Sequence, residues 1–229
     1  MANLGKVLTF GSPNVATGLR ALGVNAEEAS EIPRLTTEVS AVFFTGDYAV
    51  SDLGEREDIF GKIRVQCSRL EIPMIFDPNL NAVEPEKYNI IEGLSFSSDI
   101  FIPSIEEAAT LCRLNNPEEI ARHYLDWGTG KIVVKLDKNG AYFQSGKESG
   151  YAPTFRADKV VDTHGAGNAF AAGLISGIIE DIPLSEAVIR ANACGSIAIQ
   201  SEGDCFPTTE QLREYMLGHR FVVEGCKEY

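Results

Sequence analysis

Short apolar runs recur along this chain with amphipathic helical stretches between them, and that alternation leaves few folds open. Val7-Leu8-Thr9-Phe10, Ala41-Val42-Phe43-Phe44, Met74-Ile75-Phe76 and Asp99-Ile100-Phe101-Ile102 read as strands. So does Ile132-Val133-Val134-Lys135-Leu136, which is apolar almost throughout, as expected of a strand buried on both faces in a parallel sheet. Helical patterns cover 13–22, 55–70, 105–111 and 117–127. Asn139-Gly140 predicts a tight turn into Ala141-Tyr142-Phe143, the clear hairpin of the chain. The C-terminal third reads as helix over 165–179, 184–200 and 208–217. The expectation is a three-layer α/β/α sandwich with a mostly parallel sheet. Ligands in such folds bind beyond the carboxyl ends of the strands. Asp77, Ser104, Asp137 and the 162–168 loop all follow apolar runs, so they can share one rim.

The chemistry concentrates in Asp162-Thr163-His164-Gly165-Ala166-Gly167-Asn168. This loop follows an extended run, 156–161, and opens a small-residue helical pattern. Glycines at the mouth of a helix leave backbone N–H groups uncovered, and with the positive end of the helix dipole they suit an anion such as a phosphate. The last position aims a side chain at the same place, and here it is an amide where a carboxylate would be the useful group.

The bulk properties narrow the partners. The formal net charge of −13 argues against nucleic acid or an anionic membrane, while a local nest of amides can still hold a nucleotide phosphate. No apolar run approaches membrane-spanning length and the first residues lack a signal layout, so a cytoplasmic location is expected. Five cysteines (67, 112, 194, 205 and 226) show no metal-like spacing and read as free, mostly buried thiols. His123 and His219 read as surface residues, and the tail 221–224 is open between a short strand and a partner-binding arm.

In combination these segments resemble the PfkB, or ribokinase-like, carbohydrate kinase family. Asp162 to Gly167 looks like its C-terminal signature, which normally continues with aspartate; Gly11-Ser12-Pro13-Asn14-Val15-Ala16 with Leu22-Gly23 looks like its glycine-rich sugar-binding segment. Phe76-Asp77-Pro78-Asn79-Leu80-Asn81 is similar to its DPN segment, and Pro103-Ser104-Ile105-Glu106-Glu107 to its N-x-x-E element. Lys135 to Ala141 is similar to its nucleotide-side strand and turn, with Asp137 at a usual glycine. Asn192 and Gly203…Pro207-Thr208 fit its adenine-side end.

The resemblance implies one ribokinase-like unit over 1–229, with 1–38 a remnant of the substrate side and 218–229 a tail. It also implies that the family's first strand, before the glycine-rich segment, has no counterpart here, and that there is no room between Gly23 and Ala41 for the strands of the family's lid. The implied activity is phosphoryl transfer from ATP with Mg²⁺ to a sugar hydroxyl. Gly165, Ala166, Gly167 and Asn168 would form the transfer loop, with Asn168 at the place of the family's base. Lys135, Asp137, Gly140, Thr163 and Asn192 would face the nucleotide; Asn14, Asp77 and Asn79 the substrate; and Glu107 would act through water on Mg²⁺.

Each of these has a plainer reading. Asp77, Asn79 and Asn14 are ordinary turn and cap residues, Glu107 suits a first helical turn, and Lys135 can snorkel from a strand end. Asp162 is expected to hold the loop through backbone hydrogen bonds. An amide cannot accept a hydroxyl proton, so a kinase impaired at Asn168 stands beside a second reading, an inactive nucleotide-binding module for regulation or assembly. Asn168 can be a natural loss of activity, an engineered Asp→Asn change, or a position for which a nearby carboxylate such as Asp162 stands in, and a homodimer or another protein partner stays open.

Overall fold

The computed structural model describes residues 5–50 and 56–219, so the tail expected at 221–224 lies outside the described residues. Strands β1 (Lys6–Phe10), β2 (Ala26–Glu28), β3 (Val39–Thr45), β4 (Met74–Asp77), β5 (Ile100–Phe101), β6 (Lys131–Lys135), β7 (Ala141–Ser145) and β8 (Ser149–Ala152) form one sheet. Its order is β2-β1-β3-β4-β5-β6-β7-β8. The pairs from β2 to β6 are parallel, β7 joins β6 antiparallel through the expected hairpin, and β8 joins β7 antiparallel.

Alternation along the strands explains why they read as continuous apolar runs. Phe10, Val42, Phe44, Phe76, Phe101 and Val134 enter one core, while Val7, Ala41, Phe43, Ile75, Ile100 and Val133 enter the other. Helices cover both faces. Against the first pack α2 (Gly46–Val50), α3 (Arg56–Leu70), α4 (Tyr88–Ser95), α5 (Ile105–Cys112) and α6 (Pro117–Asp126). Against the second pack α1 (Pro13–Ala21), α7 (Ala166–Ile179) and α8 (Leu184–Ala198), with α9 (Thr209–Gly218) closing a smaller cluster on α8. This is the expected α/β/α sandwich. Among the described residues every strand belongs to the one sheet.

Several local expectations are corrected. The strand expected over 7–10 is present as β1, which runs straight into Gly11 between β2 and β3, so the expectation that the leading strand is missing is corrected. The polar stretch after Gly23 holds β2, an edge strand too short and too acidic to show an apolar pattern. The expected extended run at 156–161 carries no strand, and Val160 and Val161 are exposed. It ends where the Val161 N–H donates to the Ile199 carbonyl just beyond α8, so a helix end rather than a sheet holds it.

His123 is half-buried beneath α4, its Nε2 3.5 Å from the Glu92 carboxylate and its ring 5.9 Å from Phe96, so it is not a surface residue. His219 is likewise half-buried, with its ring stacked 3.8 Å from Tyr215. Cys67 and Cys194 are buried thiols whose pKa values burial pushes up to about 12, which makes them unreactive.

Candidate active site

The carboxyl ends of β1, β4, β5 and β6 and the amino end of α7 surround a cleft of about 1370 Å³. Every residue assigned a site role from sequence lines it: Asn14, Asp77, Asn79, Glu107, Lys135, Asp137, Gly140, Thr163, Gly165, Ala166, Gly167, Asn168 and Asn192. The geometry then distinguishes side chains that face the cleft freely from those with structural commitments.

Gly165 precedes α7 with φ 79, a left-handed conformation that favours glycine, and no side chain caps the helix. A Cβ on Gly167 would meet open space. The first turn of a fourteen-residue helix therefore opens towards the cleft uncapped, a cradle fit for phosphate oxygens.

Asn168 follows on that turn. Its Nδ2 donates to the Asp204 carboxylate (3.4 Å), and its Oδ1 lies 3.5 Å from the Ser12 hydroxyl. Asn14, in the first turn of α1, donates to the other Asp204 oxygen at 2.6 Å. Asp162 keeps to its expected holding role: it accepts from the His164 N–H (2.9 Å), the His164 ring (2.8 Å) and the Gly203 N–H (3.1 Å).

Those bonds, the His164 N–H first, lower the Asp162 pKa from 3.8 to about 2. A depressed folded-state pKa gives stability that is present above the unfolded value and lost as pH falls through the folded one. Acid unfolding of the wild type will therefore steepen between about pH 4 and 2. In Asp162→Asn the steepening in that window will be absent, as circular dichroism against pH would show.

Glu107 carries a heavier structural load than its sequence position suggests. Ser104 and Glu107 form a capping box at the start of α5, with one carboxylate oxygen accepting the Ser104 N–H at 2.7 Å. The other oxygen accepts the Leu80 N–H from the turn after β4, at 3.0 Å. A carboxylate has about four lone-pair sites, so capacity for a water-bridged cation is left.

Lys135 neither snorkels nor stands free. Its ammonium lies 2.9 Å from the Asp77 carboxylate, with side chains 18% and 13% exposed. Burial alone would discharge the lysine. The Asp77 carboxylate, then Glu107, outweigh burial and hold its pKa above the ordinary value.

Asp77 also accepts the Asn79 N–H (3.2 Å), while the Asn79 amide donates to Asp47 (2.8 Å). Asp137 has φ 54, a left-handed conformation that glycine adopts at less cost. Gly140 is held at φ 85 with the Ala152 carbonyl 2.1 Å from where a Cβ would stand, so this turn admits glycine alone. Both amide hydrogens of Asn192 are taken by the carbonyls of Ala152 and Pro153. Thr163 is exposed.

Two acidic residues beside the cleft were not singled out from sequence. Glu28, on the unexpected strand β2, accepts the Gly11 N–H at 2.8 Å and bonds the Thr9 hydroxyl, pinning the glycine-rich segment. Asp204 lies in the segment assigned to the adenine end, yet that segment packs on α1. Phe206 lies against Gly18, and the Thr209 hydroxyl donates to the Leu22 carbonyl (2.9 Å). Periodicity marks neither residue, because both act through tertiary contacts.

Residues 20–211 match the sequence model of the pfkB family carbohydrate kinase. The chain belongs to that family. It is 38% identical over 160 residues to 2-dehydro-3-deoxygluconokinase of Bacillus subtilis (strain 168), covering 67% of this chain and 49% of that protein. The chain thus spans about half the length of this relative, and less of the next two.

Among solved structures it is similar to aminoimidazole riboside kinase from Salmonella enterica complexed with aminoimidazole riboside and an ATP analog. The TM-score is 0.77 at 18% identity, over 93% of this chain and 100% of that one. A PfkB protein from Polaromonas sp. JS666 is similar with a TM-score of 0.76 at 22% identity, over 91% and 99% of the two chains. These likenesses establish the ribokinase-like fold.

Proposed function

We propose that this protein transfers a phosphoryl group from ATP to the hydroxyl of a small sugar or sugar acid. The observation that carries this reading is the uncapped Gly165–Asn168 turn opening into the same cleft as Asn14, Asp77 and Lys135. Phosphoryl transfer rests on positioning and electrostatic stabilisation, which such a turn supplies to the terminal phosphates. Lys135, held charged against Asp77, adds positive potential at the floor of the cleft, and Glu107 retains capacity for a water-bridged Mg²⁺. The ATP supplies the phosphoryl group, with Mg²⁺ offsetting its charge. Asn14 and Asn79 present amides to acceptor hydroxyls.

The second reading, a silent nucleotide-binding module for regulation or assembly, is favoured by Asn168, whose amide cannot take up a proton. The two separate in one experiment. MgATP is titrated calorimetrically into the protein, and transfer to 2-dehydro-3-deoxygluconate, aminoimidazole riboside and fructose is then assayed. Binding with transfer supports the kinase reading. Binding without transfer supports the silent module, and no binding overturns both.

A further inference from the structure

We propose that Asp204 accepts the hydroxyl proton in the transfer, a place the family's loop gives to its own aspartate and this chain gives to Asn168. The inference rests on the kinase reading above. It starts from a convergence: the beginning of α1 and the beginning of α7 meet on one carboxylate. Asn14 donates to Asp204 Oδ2 at 2.6 Å, and Asn168 donates to Oδ1 at 3.4 Å. The same Oδ1 lies 2.4 Å from where a Cβ on Gly165 would stand, so glycine there is what lets the carboxylate reach the first turn of α7.

The loop that carries Asp204 is held at both ends. Gly203 is tied to Asp162 at 3.1 Å, and Phe206 and Thr209 are packed and bonded to α1. A group fixed in this way pays little reorganisation cost in the transition state.

Three other carboxylates near the cleft have competing duties. Asp162 accepts three hydrogen bonds from its own loop and from Gly203, Asp77 is paired with Lys135, and Glu107 caps α5 and holds Leu80. Among the described residues Asp204 bonds to two amide donors, and it is exposed, so it can pass a proton to water.

The amide at 168 also acquires a reason. A carboxylate there would set two like charges about as close as this 3.4 Å contact, and they would repel each other. An amide there donates its N–H to Asp204 and aims it. In the proposed step the acceptor hydroxyl gives its proton to Asp204 as its oxygen bonds the terminal phosphorus of ATP. The bond from that phosphorus to the bridging oxygen breaks, ADP leaves, and Asp204 returns the proton to solvent.

The test compares wild type, Asp204→Asn, Asn168→Asp and the double variant with MgATP and the same three acceptors. Asp204→Asn will lose ~10²–10⁴-fold in kcat with the KM for MgATP unchanged. The double variant, with its carboxylate returned to position 168, will regain transfer, which also shows that the loss in Asp204→Asn is not misfolding.

The proposal is overturned if Asp204→Asn keeps wild-type kcat. It is also overturned if wild type is silent while Asn168→Asp transfers, in which case the kinase site stands and its base belongs at 168. Silence of both towards all three acceptors defeats the kinase reading itself, and the inference falls with it.

Discussion

Lys135→Met will destabilise this protein by about 3–5 kcal/mol at neutral pH, because it strands the Asp77 carboxylate in a buried site without its partner. The pair is held at 2.9 Å with both side chains largely covered, and Glu107 adds a second negative group nearby. Removing one member of such a pair is costly because the remaining charge has lost both water and its counter-ion. The loss will shrink as pH falls and Asp77 takes up a proton. Lys135→Met with Asp77→Leu will recover most of the stability, since no buried charge is left. Urea unfolding of the three variants measures both effects. A Lys135→Met loss no larger than that of an exposed lysine would show the pair to be energetically idle. Activity gives a separate readout: the double variant folds but lacks the positive charge beneath the cleft, and its affinity for MgATP will fall.

Phe44→Ala will cost about 3–5 kcal/mol, by leaving a cavity in the middle of a row of aromatic rings. Phe44 is fully buried on β3. It stacks on Phe10 at 4.3 Å and meets Phe60 edge-on at 5.2 Å; the row continues from Phe60 to Phe76 at 5.6 Å and from Phe76 to Phe101 at 5.9 Å. Pairs in these geometries add about 0.5–1.5 kcal/mol beyond the area they bury. Phe44→Leu keeps most of the volume and will lose much less. Successive strand residues point to opposite faces. Phe43 and Thr45 therefore line the cleft while Phe44 points away from it. The folded fraction of Phe44→Ala should bind MgATP with wild-type affinity, and thermal unfolding with and without MgATP checks both statements. A loss of affinity in the folded protein would mean that the aromatic row transmits to the site.

Much of the architecture was legible because its signals are local. Apolar runs two faces deep mark β3, β4 and β6, and Asn139-Gly140 marks the β6–β7 hairpin, whose turn admits glycine alone at Gly140. β2 and β8 were missed because short edge strands have little apolar pattern to show, and 156–161 was read as extended because valines favour strands even where no partner strand reaches them. The lining of the cleft was legible for a related reason. Its residues sit at strand ends and helix starts, and the topology of a parallel sheet brings those to one rim.

Sequence alone determined the family, the layered fold and the positions that surround the cleft, since these follow from periodicity and from motifs whose spacing is short. The tertiary structure decided which side chains meet. It set Lys135 on Asp77, 58 positions away, and turned Glu107 towards Leu80 as well as its own helix. It brought Asp204 against Asn168 across 36 positions and against Asn14 across 190. Such meetings depend on strand register and on how α1, α7 and the 201–208 loop dock. Those geometries are set by packing over the whole sheet, and no run of neighbouring residues encodes them.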